Sequence, residues 1–358
     1  MNVKQSAEAY ESWLREQLNG AIVEKDLERK HEKMRADAFQ FLRATYWRWA
    51  ETIFDVCSDL ADAPKALSVG DIHLENYGVW RDDDGRLVWG VNDFDEAADM
   101  PYVLDLVRLA TSAVLAQDGR RGGIMTTCSR ILDGYRDGVK DPGAFVLDGA
   151  HHFLRKQFDV SKKERAKFWD DIEHNRGKKT KKPPDGMRRA LEHAMPKGSK
   201  HVQFWPRSAG TGSLGRPRWV GYAEWCGAPV IREVKAVVTS GWSRLPGRGS
   251  KTVRCAEIAT GTYRAPDPWY ALHRQTLVVR RLSPNSRKLE LEDQGEALLH
   301  AKMLRAMGRD LANVHFGTGR RGKEIARNLD KRPRGWLGAA VEASTEFVRR
   351  EHREWKQT

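Results

Sequence analysis

The sequence predicts an α+β protein of two lobes, one mainly helical and one rich in strands. Three observations lead there. Long stretches toward both ends place apolar residues at three- and four-residue intervals. Residues 201–289 instead carry short runs of β-branched and aromatic residues punctuated by Gly and Pro. Residues 69–97, VGDIHLENYGVWRDDDGRLVWGVNDFDEA, read as two strands around an Asp-Gly turn, with acidic residues gathered at both ends. The expected organisation is residues 1–200 for N-terminal helices and the acidic hairpin of the helical lobe, 201–289 for the β-rich lobe, and 290–358 for helices completing the helical lobe.

A chain of 358 residues can bury a sizeable core in such an arrangement. Its formal net charge of +13 favours anionic partners: nucleotides, phosphorylated molecules, nucleic acid or acidic proteins. Cys57, Cys128, Cys226 and Cys255 lie far apart, with no Cys-x-x-Cys pair and no His at ligand spacing. They read as free thiols in a reducing cytoplasm, not as disulfides or a zinc site. The N-terminal MNVKQSAEAYESW lacks a basic region followed by an apolar core, so no signal peptide is expected. The most apolar long run, Val103 to Ala116, is interrupted by Asp105 and Arg108 and is too short to span a bilayer. A cytoplasmic protein without a membrane partner is expected.

Residues 5–58 contain no proline and read as helical throughout. They include the aromatic segment Phe39-Gln40-Phe41-Leu42-Arg43-Ala44-Thr45, a core-facing stretch in which Arg43 and Arg48 want anionic partners. The acidic hairpin follows. A helix is expected to open at Pro101 with Asp99 as its cap; on it, Asp105 and Arg108 are either a surface pair or a brace for the acidic loop. Helical segments are expected near 122–138 and 142–158. The Lys/Arg-dense run from Ser161 to Arg189 reads as a solvated loop, and its few interleaved aromatics weigh against nucleic-acid binding.

From 201 the pattern turns β-like. HVQFWPRS leads into Gly210-Thr211-Gly212-Ser213-Leu214-Gly215, then RPRWVGYAEW, a Cys226–Pro229 turn, and a run through Lys235. A dinucleotide fingerprint needs a helix after the glycines, whereas here a strand follows. Strand, Gly-rich turn, strand, turn, strand with a lysine is the phosphate-covering arrangement of protein kinases. Residues 250–263 could supply the next helix, placing Glu257 where an ion-pair partner of Lys235 is expected. Thr276 to Leu282 reads as a strand, Pro284-Asn285-Ser286 as a hinge, and 296–315 and 338–355 as helices.

The acidic region gains meaning from this. Asp71 and Asn76 stand at the Asp-x-x-x-x-Asn interval of kinase catalytic loops, where Asp accepts the substrate proton and Asn holds magnesium. Asp93-Phe94-Asp95 takes the place of the metal-binding Asp-Phe-Gly, with Asp95 a further carboxylate for the same cation. Alone, that interval is common by chance, and acid-flanked Asp-Gly turns are commonly hairpin tips in water. The two halves also come in reversed order, the Gly-rich turn after the catalytic motif. A circular permutation explains the reversal. The expected fold is therefore two-lobed, kinase-like and permuted, with extra N-terminal helices.

These motifs together resemble the bacterial family catalogued as domain of unknown function 2252, related in its catalytic motifs to aminoglycoside phosphotransferases and protein-kinase-like enzymes. The residues that carry the resemblance are Phe39–Thr45, Gly70-Asp71-Ile72-His73-Leu74-Glu75-Asn76-Tyr77-Gly78, Asn92–Ala97, Asp105–Ala110, Gly210–Gly215, Lys235 and Leu311–His315. It implies that Asp71 is a catalytic base, that Asn76 and Asp93 are magnesium ligands, and that Lys235 contacts nucleotide phosphates. Two departures stand out. Many members read Arg-Gly where this chain has Arg43-Ala44, and the lysine is usually followed by Glu where this chain has Ala236.

An ATP- and Mg2+-dependent phosphotransferase is thus expected, binding nucleotide through Gly210, Thr211, Gly212, Ser213, Gly215, Lys235 and Glu257. The phosphate acceptor, small molecule or protein, stays open. The alternatives are an AMP-transferase, an ATP-binding pseudokinase, or a metal-dependent phosphoesterase using Asp71, His73, Asp93 and Asp95. His73 reads as a brace within its loop. Binding of nucleic acid rests on charge alone and ranks last.

Overall fold

The computed structural model describes residues 1–117, 123–319 and 321–358. Helix and strand are mixed, and every strand pair among the described residues is antiparallel. The acidic region supplies β1 (Lys65–Ser68), β2 (Tyr77–Arg81), β3 (Leu87–Val91) and β4 (Ala98–Pro101), followed by β5 (Phe145–Val146). Next come β6 (Lys200–Pro206), β7 (Arg218–Trp225), β8 (Ala228–Ala236), β9 (Ala271–His273), β10 (Leu277–Arg281) and β11 (Arg287–Lys288). Three sheets result: β1 with β4, a five-stranded sheet in the order β6-β7-β8-β10-β9, and a four-stranded sheet in the order β11-β2-β3-β5.

The acidic hairpin forms as its turn chemistry requires. Tyr77 faces Val91 and Arg81 faces Leu87 across β2 and β3. Gly85 takes a positive φ of 75°, and the Asp82 carboxylate accepts the Arg86 backbone N–H at 2.9 Å. The β7–β8 hairpin turns on Cys226 and Gly227, whose φ values of 50° and 76° are the left-handed pair that a tight two-residue connection needs.

The helices on either side of the sheet-forming stretch pack together. Every residue of the helix Val103–Ala116 is buried, and it meets the helices Trp336–Lys356 and Ile124–Lys140. The helices Ile124–Lys140 and Ala301–Gly317 touch backbone to backbone. A Cβ on Gly134 would stand 1.8 Å from the Arg305 carbonyl oxygen, and one on Gly308 would stand 2.0 Å from that of Ile131. Small residues let the two axes approach this closely.

Several expectations need correction. The helical run over 5–58 is four helices, Val3–Gln17, Glu24–Ala36, Ala38–Ala44 and Tyr46–Val56. It breaks at Asn19 and Gly20, both at positive φ, and again at Asp37, whose side chain caps the third helix through Gln40 N at 2.8 Å. Pro101 closes β4 instead of opening a helix. Asp99 lies in that strand opposite Leu67, and Tyr102 precedes the helix without a side-chain cap. Of the helix expected over 142–158, only His152–Phe158 forms, because Phe145 and Val146 pair with Trp89 and Val88 of β3. Residue 122, the first of the helix expected over 122–138, lies outside the described residues; the helix itself runs Ile124–Lys140.

The basic run that reads as a loop contains the helices Lys162–Lys179 and Asp185–Ala194. A capping box starts the first: Ser161 Oγ accepts Glu164 N at 3.2 Å, while Glu164 Oε2 accepts Ser161 N at 2.9 Å. Phe168, Trp169 and Ile172 then pack on Trp205, Val220, Tyr222 and Ile231 of the five-stranded sheet. The long C-terminal helix is split at His300, whose Nδ1 accepts Lys302 N at 3.2 Å and so caps the second part. Among the described residues no helix is long and apolar enough to cross a membrane.

Candidate active-site cleft

The loop carrying Asp71 is held from behind by one buried carboxylate. Asp105 accepts the backbone N–H groups of Val69 at 2.7 Å and Gly70 at 3.0 Å. His315 Nε2 lies 3.1 Å from the same carboxylate, and His315 Nδ1 lies 2.9 Å from the Tyr135 hydroxyl. Asp105 is therefore a brace for the loop, and Asp105 and Arg108 are both fully buried, so the surface-pair alternative falls away. Gly70 adopts a φ of 80°, and a Cβ there would meet the Glu96 carbonyl oxygen at 2.4 Å, so the sharp entry needs glycine.

Arg108 reaches the other side of the loop. Its Nη2 donates to Leu42 O at 2.8 Å and to Asp71 Oδ1 at 2.5 Å, with the guanidinium over the rings of Tyr46 and Trp49. Burial still pushes the Asp71 carboxyl up to about 6, against the pull of Arg108 and with a smaller push from Glu96 and Asp93. Asn76 Nδ2 donates to Asp71 O at 2.5 Å. His73 Nδ1 accepts Glu75 N at 3.2 Å, and burial followed by the charges of Arg43, Lys288 and Arg108 holds its ring neutral. His73 is a loop brace, as its place in the sequence suggests.

The hairpin returns the chain to this loop. Asn92 N donates to Asn76 O at 2.9 Å, which sets Asp93 beside the entry. A Cβ on Gly78 would meet the Arg287 carbonyl oxygen at 2.6 Å, so the pairing of β2 with β11 needs a glycine there. Asp93 and Asp95 both face Lys235, whose Nζ lies 3.3 Å from Asp93 Oδ1 and 2.6 Å from Asp95 Oδ1. Burial alone would raise the Asp93 carboxyl. Lys235, Lys288, Arg280 and Arg218 outweigh it and hold the group well below the usual carboxylate range.

The Gly-rich turn forms the roof. Gly210 has a φ of 77° and Gly215 a φ of 95°. Gly212 lies directly over the acidic loop, where a Cβ would stand 2.8 Å from Asp71 Oδ2 and 3.3 Å from Arg43 O. Lysines of the helix Glu24–Ala36 pin the turn: Lys30 Nζ donates to Gly212 O at 3.3 Å and Lys33 Nζ to Thr211 Oγ1 at 3.2 Å. Ser213 Oγ accepts Arg218 Nη2 at 3.0 Å.

These groups enclose a cavity of about 370 Å3. Asp71, Asn76, Asp93, Asp95, Gly210, Thr211, Gly212 and Ser213 all line it, and so does Arg43, paired with Glu75 at 2.7 Å. Lys235 stands behind the lining, against the two aspartates. Gly215 is not part of the wall; its carbonyl accepts Val23 N at 2.9 Å, and a Cβ there would meet Leu27 Cδ2 at 2.6 Å. Glu257 must also be corrected. It follows Arg254 on the short helix Cys255–Ala259 and pairs with it at 2.7 Å, half exposed, while Lys235 finds its carboxylates on the acidic hairpin.

Sequence reasoning missed Lys30, Lys33, the Arg216–Glu96 pair at 2.6 Å, and the arginines around Glu233. Lysines on an amphipathic helix and arginines on strands carry no local signature of the partner they will meet. The Ser-Lys-Lys-Glu sequence at 161–164 was the one local signal for the helix that flanks the sheet.

The donor set suits a hard cation. Neither oxygen of the buried Asp95 has a hydrogen bond of good geometry, despite the nearby ammonium, and Asn92 Oδ1 has none either. Among the described residues no three carboxylate, imidazole or thiol groups converge on one point. Asn76, Asp93 and Asp95 are oxygen donors that would hold magnesium only as a partial set, with water completing the shell.

Among curated proteins and among solved structures, nothing matches the chain. The family model described as an uncharacterized protein conserved in bacteria, DUF2252, matches residues 22–202. That span is half of the chain and includes the acidic loop and the hairpin that floor the cleft, and the chain therefore belongs to the DUF2252 family.

Proposed function

We propose that the protein is an ATP- and magnesium-dependent phosphotransferase, with a two-lobed, kinase-like arrangement in circularly permuted order. The observation that carries this reading is the meeting of two distant segments: Gly212 roofs Asp71, and Lys235 closes on Asp93 and Asp95. A Gly-rich turn between strands and a lysine on the next-but-one strand are the phosphate-holding parts of kinase-type sites.

Asp71 takes the proton of the acceptor hydroxyl. A carboxylate with a pKa near 6 is a better base than an ordinary aspartate and is still ionised at neutral pH. Arg108 and the Asp105 brace fix its direction, which supports transfer by positioning. Lys235 supplies a point charge toward the phosphates, and the backbone of residues 210–213 leaves room for close approach. Asn76, Asp93 and Asp95 would hold magnesium, which neutralises charge on the transferring phosphate. A phosphoesterase reading leaves the Gly-rich roof and Lys235 without a role, and it asks for a denser metal-ligand set than the described residues offer.

The test is the shift in melting temperature with ATP plus magnesium, for wild type beside Lys235→Ala and Asp93→Ala. A ligand at a hundred times its dissociation constant adds about 2.7 kcal/mol of stability. A magnesium-dependent shift in wild type that both variants lose is expected. The same shift in Asp93→Ala would sink the assignment.

A further inference from the structure

One face of β8 carries Lys235 and, two residues outward, Glu233. Glu233 is fully buried, and three guanidinium groups converge on it. Arg207 Nη1 reaches Oε2, while Arg218 Nη1 and Arg280 Nε each stand 2.8 Å from Oε1. One carboxylate answers one of the three charges. Lys288 adds another cation nearby, 3.7 Å from Asp93 and half-buried. Lys235, in contrast, is engaged by both Asp93 and Asp95.

The place of this cluster matters as much as its charge. Arg207, Arg218 and Lys288 line both the catalytic cavity and a second cavity of about 1060 Å3, bounded on its far side by the helix Lys162–Lys179. These three residues therefore stand in the partition between the two spaces, with Arg280 on the side of the first cavity. A flat apolar group would seek apolar walls there. Guanidinium forks instead match the paired oxygens of phosphate or carboxylate.

We infer that this partition is an anion subsite, at which Arg207, Arg218, Arg280 and Lys288 hold a phosphate or carboxylate group of the bound ligand. It is separate from Lys235 and stands whether or not the phosphotransfer reading does. The anion can come from a nucleotide's phosphate chain or from an acidic group on the acceptor.

Calorimetric titration with tripolyphosphate, free of metal, tests the subsite. Wild type should bind, and Arg207→Gln and Lys288→Gln should each weaken binding about tenfold or more. Glu233→Gln removes the competing carboxylate while keeping all three guanidiniums, so it should tighten binding. Should that buried change unfold the protein, the Arg207 and Lys288 variants decide alone, since both side chains reach solvent. Lys163→Gln removes the same charge from an exposed helical position and should leave affinity unchanged. No binding by wild type overturns the inference. So does wild-type affinity in both the Arg207 and Lys288 variants, or an equal loss in Lys163→Gln. Repeating the titration with saturating ATP separates the sources. Exclusion of tripolyphosphate assigns the subsite to the nucleotide, and simultaneous binding assigns it to the acceptor; either supports the subsite.

Discussion

Replacing Asp71 by Asn should stabilise the protein while removing the proposed base. Burial lifts this carboxyl to about 6 in the folded chain, whereas an unfolded chain ionises aspartate near about 3.9. The gap is about two units, so at about 1.36 kcal/mol per unit the folded state disfavours the charge by roughly 3 kcal/mol at pH 8. The sign follows from the raised value. The group's contribution to stability is greatest below about pH 3.9 and is lost as pH rises through about 6. Asparagine carries no charge and escapes the penalty. It keeps an oxygen for Arg108, whose pull on the charge is already contained in the raised value. A net gain of about 3 kcal/mol is expected at pH 8, shrinking to about 1 kcal/mol at pH 4.5. Urea denaturation of both proteins across this range measures it. A difference that is flat with pH, or a wild type more stable at pH 8, would refute the placement of Asp71 in a low-dielectric pocket.

Other substitutions probe the packing. Gly212→Ala drives a methyl to within 2.8 Å of Asp71 Oδ2, and overpacking of this kind costs about 1–3 kcal/mol; an unchanged melting temperature would contradict the close roof. Gly308→Ala sets its Cβ 2.0 Å from a backbone carbonyl that cannot rotate away. It should lower stability by about 3 kcal/mol or more, read by thermal unfolding. Glu257→Gln touches only the partly exposed pair with Arg254 and should change stability by no more than about 1 kcal/mol. It should also leave the nucleotide-induced melting shift intact, and loss of that shift would restore Glu257 to the site.

What could be read in the sequence was what short-range chemistry dictates. The acidic hairpin, the Gly-rich turn, the strands around it and Lys235 were legible because turn residues and alternation specify them locally. Pro101 misled for a physical reason: proline suits the first turn of a helix and the end of an edge strand alike. Glu257 misled because the partner of Lys235 lies some 140 residues back along the chain, on the hairpin exit. The Arg108–Asp71 contact and the arginines on Glu233 depend on how separate elements meet, and no local pattern records that.

The glycine contact between the helices Ile124–Lys140 and Ala301–Gly317 bears on how the protein is made. The helix Val103–Ala116, buried on every side in the finished molecule, leaves the ribosome long before the helix Trp336–Lys356 that covers one side of it. At about 5–20 residues per second, the intervening two hundred or so residues take roughly 10–40 s to synthesise. Throughout that interval the side that Trp336–Lys356 covers has no native cover, and the acidic loop lacks the His315 end of its brace. The loop that carries Asp71 is thus fully braced only after the helix Ala301–Gly317 has been made.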